Sequence, residues 1–249
     1  VIKYLDKYEK LKENLGERCA LFYEEFSKKG NNLKVGIGGG GSLLSFIEKL
    51  NYQSRRIEIY PMSLFGRGPQ VQYVDSTFLA NYLLIKSFPE AKGFIVGNPP
   101  LPKNPEIAKT FSSWIINEIP EVGEVLDQAA NVDLAFVGLG AVSRSPNIFR
   151  EYSKLGITYD FVIKRKAAGG INYNYFDIHG NQIGDGILTI NVEKLKKMST
   201  SQLQTVVLVA GGHHKMEAIK IAIKNRMVNV LITDEDTAMY LMDEKNEDG

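Results

Sequence analysis

Six short runs of β-branched and other apolar residues recur along the chain, each followed by a turn and then by a stretch with helical periodicity. The runs are LKVGI (33–37), RIEIY (56–60), GFIVG (93–97), DLAFVG (133–138), TVVLVA (205–210) and VNVLI (228–232). They are apolar almost throughout instead of alternating, as strands covered on both faces are. The pattern therefore predicts an α/β fold with a largely parallel, helix-covered open sheet.

Apolar residues at three- and four-residue spacing predict the covering helices, at 42–50, 105–119, 216–226 and 235–242. The first helix-like segment, 4–28, is mixed in charge and resembles a covering or connecting helix. The alternation of predicted strands and helices is interrupted at about 157–190. There TYDFVIK, INYNYFDIHGN and GILTINV resemble strands joined by Gly and Asn turns. We interpret this stretch as a small β-meander inserted between two βα units. No linker or internal repeat interrupts the chain, so we expect residues 1–249 to form a single domain.

Composition narrows the classes of function. With 44% apolar residues in 249, the chain can bury a sizeable core. The net charge of +1 gives no global field that favours nucleic acid, so we do not expect unaided DNA binding. No apolar run reaches the length of a membrane span, and the first residues form a polar helical pattern instead of a signal peptide. The single Cys19 fits a reduced cytoplasm, and neither a metal site nor a cofactor is expected.

The densest candidate site is VGIGGGGS (35–42), between a predicted strand and a predicted helix. The consecutive glycines Gly38, Gly39, Gly40 and Gly41 add no packing and cost conformational entropy, so a backbone role must explain them. Such a loop and the helix N-terminus after it present several amides to a phosphate. Ser42 stands where its hydroxyl can cap the helix or donate to the same anion. A tight strand-to-helix turn without a ligand is the alternative.

The second candidate is AGGHHK (210–215), also between a strand and a helix. Basic groups at a helix N-terminus are destabilised by the positive end of the helix macrodipole. An anion bound between these groups and the helix would offset that repulsion, so the motif favours an anion site. Lys215 is the leading ligand contact, and a solvated lysine beside two surface histidines is the alternative. His213 and His214 diverge on a regular helix, so they do not predict a metal site. His179, in FDIHGN, is interpreted as part of a hairpin turn.

Other polar or glycine-rich turns follow further strands: LITDEDTA (231–238), VGLGAVS (137–143) and GNPPLP (97–102). In the first, good capping by Thr233 or Asp234 explains the acidic residues. Together, the turns place polar or flexible segments at the carboxyl ends of five predicted parallel strands, where ligands bind in open α/β sheets.

A dinucleotide-binding site is an alternative interpretation of the glycine loop. Gly36, Gly38 and Gly41 satisfy G-x-G-x-x-G, and Glu58 falls where a ribose-binding acid could stand. Four glycines in a row, however, satisfy this spacing almost automatically. A Walker A loop is excluded because no Gly-Lys-Ser/Thr follows, and neither G-x-S-x-G nor H-E-x-x-H occurs.

At these residues the chain resembles the effector-binding domain of the SorC/DeoR-type sugar-binding transcriptional regulators of bacteria. The resemblance rests on VGIGGGGS (35–42), VGLG (137–140), AAGGINYNYFDIHG (167–180), AGGHHKMEAI (210–219) and VNVLITDEDTA (228–238), in an order and spacing that run through nearly the whole chain. It implies a fold similar to that of glucosamine-phosphate deaminases, ribose-phosphate isomerases and CoA transferases. In such regulators a DNA-binding domain precedes the effector domain. The first 30 residues lack room for one, so we expect an isolated effector domain here.

The resemblance places the phosphate-binding loop on Gly38, Gly39, Gly40, Gly41 and Ser42, which stands where many members have Thr. The lysine of A-G-G-x-x-K falls on Lys215.

The resemblance also implies contacts from Arg67, Gln72 and Asp75, and from Gly138, Gly140, Gly169 and Gly170. Gly170 stands where many members have an acidic residue, so a hydroxyl contact expected there is not supported.

The expectation is therefore a non-enzymatic sensor that binds a phosphorylated sugar and thereby alters the assembly or DNA affinity of a regulator. The resemblance implies a homodimer or homotetramer, contact with operator DNA only through the absent DNA-binding domain, and no membrane contact. A sugar-phosphate isomerase or deaminase on the same fold is the alternative, with Lys215 and Asp75 or Asp234 as acid and base. A nucleotide-cofactor oxidoreductase is the third hypothesis.

Overall fold

The computed structural model describes residues 2–29, 32–65, 74–97, 99–143, 149, 152–184 and 188–243. The strands are β1 Leu33–Ile37, β2 Ile57–Pro61, β3 Lys92–Gly93, β4 Leu134–Val137, β5 Leu139–Ala141, β6 Ala167–Ile171, β7 Asn174–Asp177, β8 Gln182–Ile183, β9 Thr205–Val209 and β10 Val230–Ile232. The helices are α1 Ile2–Phe26, α2 Gly41–Lys49, α3 Ser76–Ser87, α4 Pro105–Glu118, α5 Pro120–Ala129, α6 Tyr159–Lys164, α7 Val192–Thr200, α8 Met216–Lys224 and α9 Glu235–Asp243. Short 3₁₀ turns occupy Ser27–Lys29, Ser153–Leu155 and His213–Lys215.

Six of the strands form a parallel sheet in the order β10-β9-β4-β1-β2-β3. Val35 of β1 lies opposite Ile59 of β2 on one side and Leu134 of β4 on the other. The strand order reverses between β1 and β4, because the chain moves outward to β2 and β3 before it returns. The loops that follow β1 and β4 therefore diverge and leave a crevice at the carboxyl edge of the sheet.

Helices cover both faces of this sheet, as the apolar strands predict. Buried residues of α1, α2 and α3 pack with Ile37, Ile59 and Phe136 on one face. On the other face, residues of α5, α7 and α8 pack with Val137 and Leu208. A third cluster lies beneath the inserted segment and includes residues of α4 and α5. The α/β class and the parallel sheet predicted from the sequence are confirmed.

The inserted segment is an antiparallel sheet in the order β5-β6-β7-β8. It begins with Leu139 of the VGLGAVS segment, earlier than the predicted start at 157. His179 lies in the hairpin turn after β7, where its amide donates to Asp177 Oδ1 at 2.8 Å, as the structural reading of this residue predicts.

Three strand predictions are wrong in whole or in part. TYDFVIK forms helix α6, because the Thr158 hydroxyl accepts from the Phe161 amide and caps it. The GFIVG run contributes only its first residue to β3. Within GILTINV, Thr189 makes a single bridge to Ser63 and Val192 already begins α7. None of the helices in the described ranges is both long and apolar enough to cross a membrane.

Candidate functional site

A cavity of about 210 Å³ lies at the carboxyl ends of β1, β4 and β9, next to the inserted sheet. This is the crevice where the strand order reverses, which is the usual ligand position in an open α/β sheet. The loops after β1, β4 and β9, the inserted sheet and α1 all contribute to it. The lining residues are Tyr8, Lys12, Gly39, Gly40, Gly41, Ser42, Gly138, Leu139, Gly140, Ala141, Tyr152, Gly170, Asn172, Tyr173, Tyr175, Val209 and Lys215.

The glycine loop has its shape because two of its amides are tied to the protein. Gly38 donates to the Phe136 carbonyl at 2.8 Å, and Gly40 donates to the Val74 carbonyl at 2.8 Å. A β-carbon on Gly39 would lie 2.8 Å from the latter carbonyl oxygen, which is closer than real contacts allow. Gly38 is therefore a structural tie to β4 and lies outside the lining, whereas Gly39, Gly40 and Gly41 line the cavity, and their contact with a phosphate stays a prediction.

Helix α2 points its amino terminus at the cavity. It begins at Gly41 after Gly40, and no side chain caps it. The amides of Gly41 and Ser42 have no acceptor among the described residues. They are two of the orphan donors of a helix N-terminus, where the macrodipole favours an anion. Capping by the Ser42 hydroxyl is wrong, because Ser42 is the second residue inside the helix; donation to a bound anion stays a prediction.

Lys215 also lines the cavity, and its role as a ligand contact stays a prediction. It ends the turn His213–Lys215, directly before α8, and its ammonium lies 5.6 Å from the centre of the Tyr8 ring. Burial, and then the positive charge of Lys12, lower the pKa of Lys215 to about 8. A cation is thus held in a partly desolvated position that an anion would stabilise.

Lys12, the second cation of the site, was missed by the sequence analysis. It belongs to α1, and its ammonium lies 4.6 Å from the centre of the Tyr8 ring. Its one carboxylate contact among the described residues is with Glu9 Oε1, at 2.5 Å. Lys12 Cδ comes within 3.2 Å of the place where a β-carbon on Gly41 would stand. No local motif marks this lysine, because only packing over a long sequence distance brings α1 to the cavity.

The other predicted contacts divide into two groups. Gly138, Gly140 and Gly170 line the cavity. Gly169 does not: a β-carbon there would lie 2.8 Å from Ala218 Cβ, so this glycine allows α8 to pack on the inserted sheet. Asp75 caps α3 by accepting from the Phe78 amide at 2.9 Å, and it is absent from the lining. Arg67 and Gln72 lie outside the described residues.

Asp234 is a structural cap, as the capping reading predicts. Its carboxylate accepts from the Gly212 amide at 2.7 Å and from the Thr237 hydroxyl at 2.8 Å and amide at 3.1 Å. Burial alone would raise the pKa of Asp234, but these hydrogen bonds outweigh it and lower the pKa below its ordinary value. Glu58, the acid of the dinucleotide reading, accepts from the Tyr60 hydroxyl at 3.0 Å and does not line the cavity.

Tyrosines form the wall on the side of the inserted sheet. Tyr152, Tyr173 and Tyr175 all line the cavity, and the Tyr152 hydroxyl donates to the Tyr173 carbonyl at 3.0 Å. Asn172 fixes this wall to the main sheet, because its side-chain amide donates to the Met62 and Ile190 carbonyls at 2.8 and 2.9 Å. Aromatic faces next to backbone amides suit a ligand that is partly apolar and partly polar. In the described residues, no group of three His, Cys, Asp or Glu side chains could hold a metal ion.

The position of Lys215 in the cavity lining and its lowered pKa predict that the affinity of the cavity for anions depends on pH. We expect the affinity for sulfate to fall by up to about tenfold per pH unit above pH 8, because only the protonated form of Lys215 pairs with the anion. Sulfate keeps its charge in this range, so its own titration does not contribute. Calorimetric titration at constant ionic strength, on both sides of pH 8, measures the effect. The Lys215→Met variant should lack the pH dependence, and a wild-type affinity that is constant across the range would contradict the assignment.

Comparison with known proteins gives one family. A family model described as "Putative sugar-binding domain" matches residues 1–243. The transcriptional regulator LsrR of Escherichia coli O9:H4 (strain HS) is 39% identical over 126 residues, which cover 49% of this chain and 39% of that protein. LsrR of Enterobacter sp. (strain 638) is 31% identical over 151 residues, covering 57% and 45%. The match spans less than half of the length of these relatives.

Solved structures share the fold. The full-length sorbitol operon regulator SorC from Klebsiella pneumoniae superposes with a TM-score of 0.77 at 22% identity, covering 94% of this chain and 73% of that one. A probable sor operon regulator from Shigella flexneri gives a TM-score of 0.74 at 23% identity, covering 94% and 88%. At such identities the likeness concerns the fold, and it agrees with the architecture expected from the resemblance.

Proposed function

The chain belongs to the sugar-binding domain family matched over residues 1–243, and on that premise we propose that it is the ligand-sensing domain of a transcriptional regulator and binds a phosphorylated sugar. One observation carries the proposal. Lys12, Lys215 and the amino terminus of α2 all face one cavity, and the lining contains no Asp or Glu among the described residues. Three positive features without a facing carboxylate favour a ligand with a concentrated negative charge.

A phosphate monoester fits this charge pattern. The free amides of Gly41 and Ser42 can donate to two of its oxygens, as amides at helix N-termini do in other phosphate sites. The two ammonium groups can balance the two negative charges of a phosphate monoester, whereas a carboxylate carries only one. Phosphate is therefore the anion that this end of the cavity supports best.

The rest of the ligand should be small and hydroxylated. A cavity of about 210 Å³ lies below the usual range for drug-sized ligands, so a monosaccharide fits better than a dinucleotide. The tyrosine wall supplies aromatic rings beside which the carbon skeleton can pack, and Gly138 and Gly140 bring backbone close to the ligand. These features support a sugar phosphate over a nicotinamide cofactor.

Sensing without turnover is part of the proposal. Catalysis of isomerisation or deamination needs a general base beside the substrate. The two carboxylates of the enzyme hypothesis are occupied elsewhere: Asp75 caps α3, and Asp234 holds the Gly212 amide. The relatives described as transcriptional regulators support the same reading. Contact with DNA through another domain, and self-association as a dimer or tetramer, stay predictions.

We expect phosphorylated sugars to stabilise the domain and their free forms not to. The pairs to compare are glucose 6-phosphate, fructose 6-phosphate and ribose 5-phosphate with glucose, fructose and ribose, and inorganic phosphate serves as a further arm. A ligand at a hundred times its dissociation constant should add about 2.7 kcal/mol to the free energy of unfolding. Thermal unfolding with each compound measures the effect.

The same samples, followed by NMR, distinguish sensor from enzyme. The expected result is recovery of each sugar phosphate unchanged. Conversion of a sugar phosphate that is lost in the Lys215→Met variant would support the isomerase or deaminase alternative. Equal stabilisation by free sugars and their phosphates would contradict the proposed function itself.

A further inference from the structure

Helix α1 is held to the domain unevenly along its length. From Leu15 onward its inner side chains are buried, and Gly16 packs so closely on α2 that a β-carbon would lie 2.7 Å from the Phe46 amide nitrogen. By contrast, none of the side chains at residues 7–14 is buried. The second half of the helix is therefore part of the core, while the first half rests on the surface.

In this first half, Tyr8, Leu11 and Lys12 make contacts at the edge of the anion cavity, and Leu11 also packs, partly buried, against the core. The Tyr8 ring meets the His214 ring with centres 5.4 Å apart. Leu11 Cδ2 lies 3.3 Å from where a β-carbon on Gly212 would stand, and the Lys12 stem lies beside Gly41. Its neighbours are thus the turn that carries Lys215 and the loop that begins α2.

Charge opposes this docking when the cavity holds no anion. Lys12 and Lys215 both lie beside the Tyr8 ring, and Lys12 also lies near the positive end of α2. The mutual repulsion is one cause of the lowered pKa of Lys215. Glu9 offsets part of the charge of Lys12, but it is an exposed partner on the same helix. An anion between the two lysines would turn repulsion into attraction.

We propose that Lys12 is a ligand-binding residue that couples the cavity to α1: a bound anion fixes residues 7–14 against the His213–Lys215 turn, and its departure releases them. The proposal rests on the proposed function, because it takes the phosphate group of the ligand as that anion. Release changes the position of the amino-terminal end of α1 relative to the sheet, so ligand occupancy is transmitted from the cavity to that end of the helix. The affinity and the docking are coupled reciprocally.

Hydrogen exchange of the amides of residues 7–14, with inorganic phosphate against chloride at equal ionic strength, tests the coupling. If Lys12 contributes about tenfold to phosphate affinity, as a charge-assisted contact does, saturation should slow this exchange by about the same factor. The Lys12→Met variant should bind phosphate about tenfold more weakly and lose most of the protection.

Two further variants on α1 separate charge from structure. Lys10 is exposed on the same helix and does not line the cavity, so Lys10→Met should behave as wild type. Glu9→Gln also removes the Glu9–Lys12 ion pair but keeps the cation, so it should strengthen phosphate binding. Opposite effects of Lys12→Met and Glu9→Gln support the proposal; a loss in both would show that only the ion pair matters and would overturn it.

The outcomes also distinguish this inference from the proposed function. Phosphate binding, measured by calorimetry, without slower exchange at residues 7–14 overturns the coupling and leaves the sensor function intact. Slower exchange with inorganic phosphate, but no preference for sugar phosphates over free sugars, supports the coupling and overturns the sugar-phosphate function. Failure of the wild type to bind either phosphate or sugar phosphates overturns both.

Discussion

Replacing Lys215 with methionine is expected to weaken the binding of sugar phosphates by about ten- to a hundredfold, the effect of removing a charge-assisted contact of roughly 1.5–3 kcal/mol. Methionine keeps the length of the stem and its packing against Tyr8 but removes the charge. Lys215 is chosen because it lines the same cavity as Gly41 and Ser42 at the amino terminus of α2. Calorimetric titration of the preferred sugar phosphate against both proteins measures the loss.

The same substitution should stabilise the unliganded domain at pH 7. Burial and Lys12 lower the pKa of Lys215 from 10.5 to about 8, so its protonated form is less favourable in the folded than in the unfolded state. Between pH 8 and 10.5 the unfolded chain binds more protons, and the stability of the wild type therefore rises with pH through this window. The advantage of Lys215→Met should be largest below pH 8, shrink between pH 8 and 10.5, and be lost above pH 10.5, as urea unfolding at several pH values will show.

Lys10→Met is the matched control, because it removes one lysine from an exposed position away from the cavity. It should change neither the affinity nor the pH dependence of stability. An unchanged dissociation constant in Lys215→Met would remove this lysine from the site. Lower stability of the unliganded variant at pH 7 would show that the ammonium has a favourable partner in the absence of ligand.

The parts of this site that the sequence predicted are those encoded by local motifs. Four glycines in a row and a lysine after A-G-G mark a backbone anion site and its counter-charge within a few residues each. The runs that form β1, β4 and β9 are recognisable because strands buried on both faces need continuous apolar residues. Such features depend on the conformation of a short segment, and the local sequence of that segment is enough to specify this conformation.

The parts that were missed depend on distant packing. Tyr8 and Lys12 reach the cavity only because Leu15, Cys19 and Tyr23 hold α1 against the sheet, and the mixed charge of α1 gave no sign of this. The prediction of a strand at α6 was wrong for the opposite reason. The β-branched and aromatic residues of this segment resemble a strand, but the threonine cap at its start favours a helix. Intrinsic helix and strand propensities are overridden where capping and tertiary contacts favour another conformation.

Gly40→Ala should both destabilise the domain and weaken the binding of sugar phosphates. Gly40 has φ 134° and ψ 155°, a region that is essentially reserved for glycine, and forcing a side chain into it costs about 1–3 kcal/mol. The residue cannot relax freely, because its amide donates to the Val74 carbonyl and its carbonyl accepts from the Leu43 and Leu44 amides of α2. Any adjustment of the loop therefore moves the Gly41 and Ser42 amides. We expect at least about a tenfold loss of affinity, as for one lost charge-assisted contact.

Gly97→Ala isolates the contribution of backbone conformation in this prediction. A β-carbon at Gly40 or at Gly97 would meet no atom within 4 Å, so neither substitution creates a clash. The two positions differ in that only Gly40 has a positive φ. Gly97→Ala should therefore leave the stability unchanged or raise it by about 0.4–1 kcal/mol, because alanine restricts the unfolded chain. Urea unfolding and calorimetry on both variants decide the matter: equal stabilities would show that Gly40 is not strained, and intact binding in a destabilised Gly40→Ala would separate the loop from the ligand.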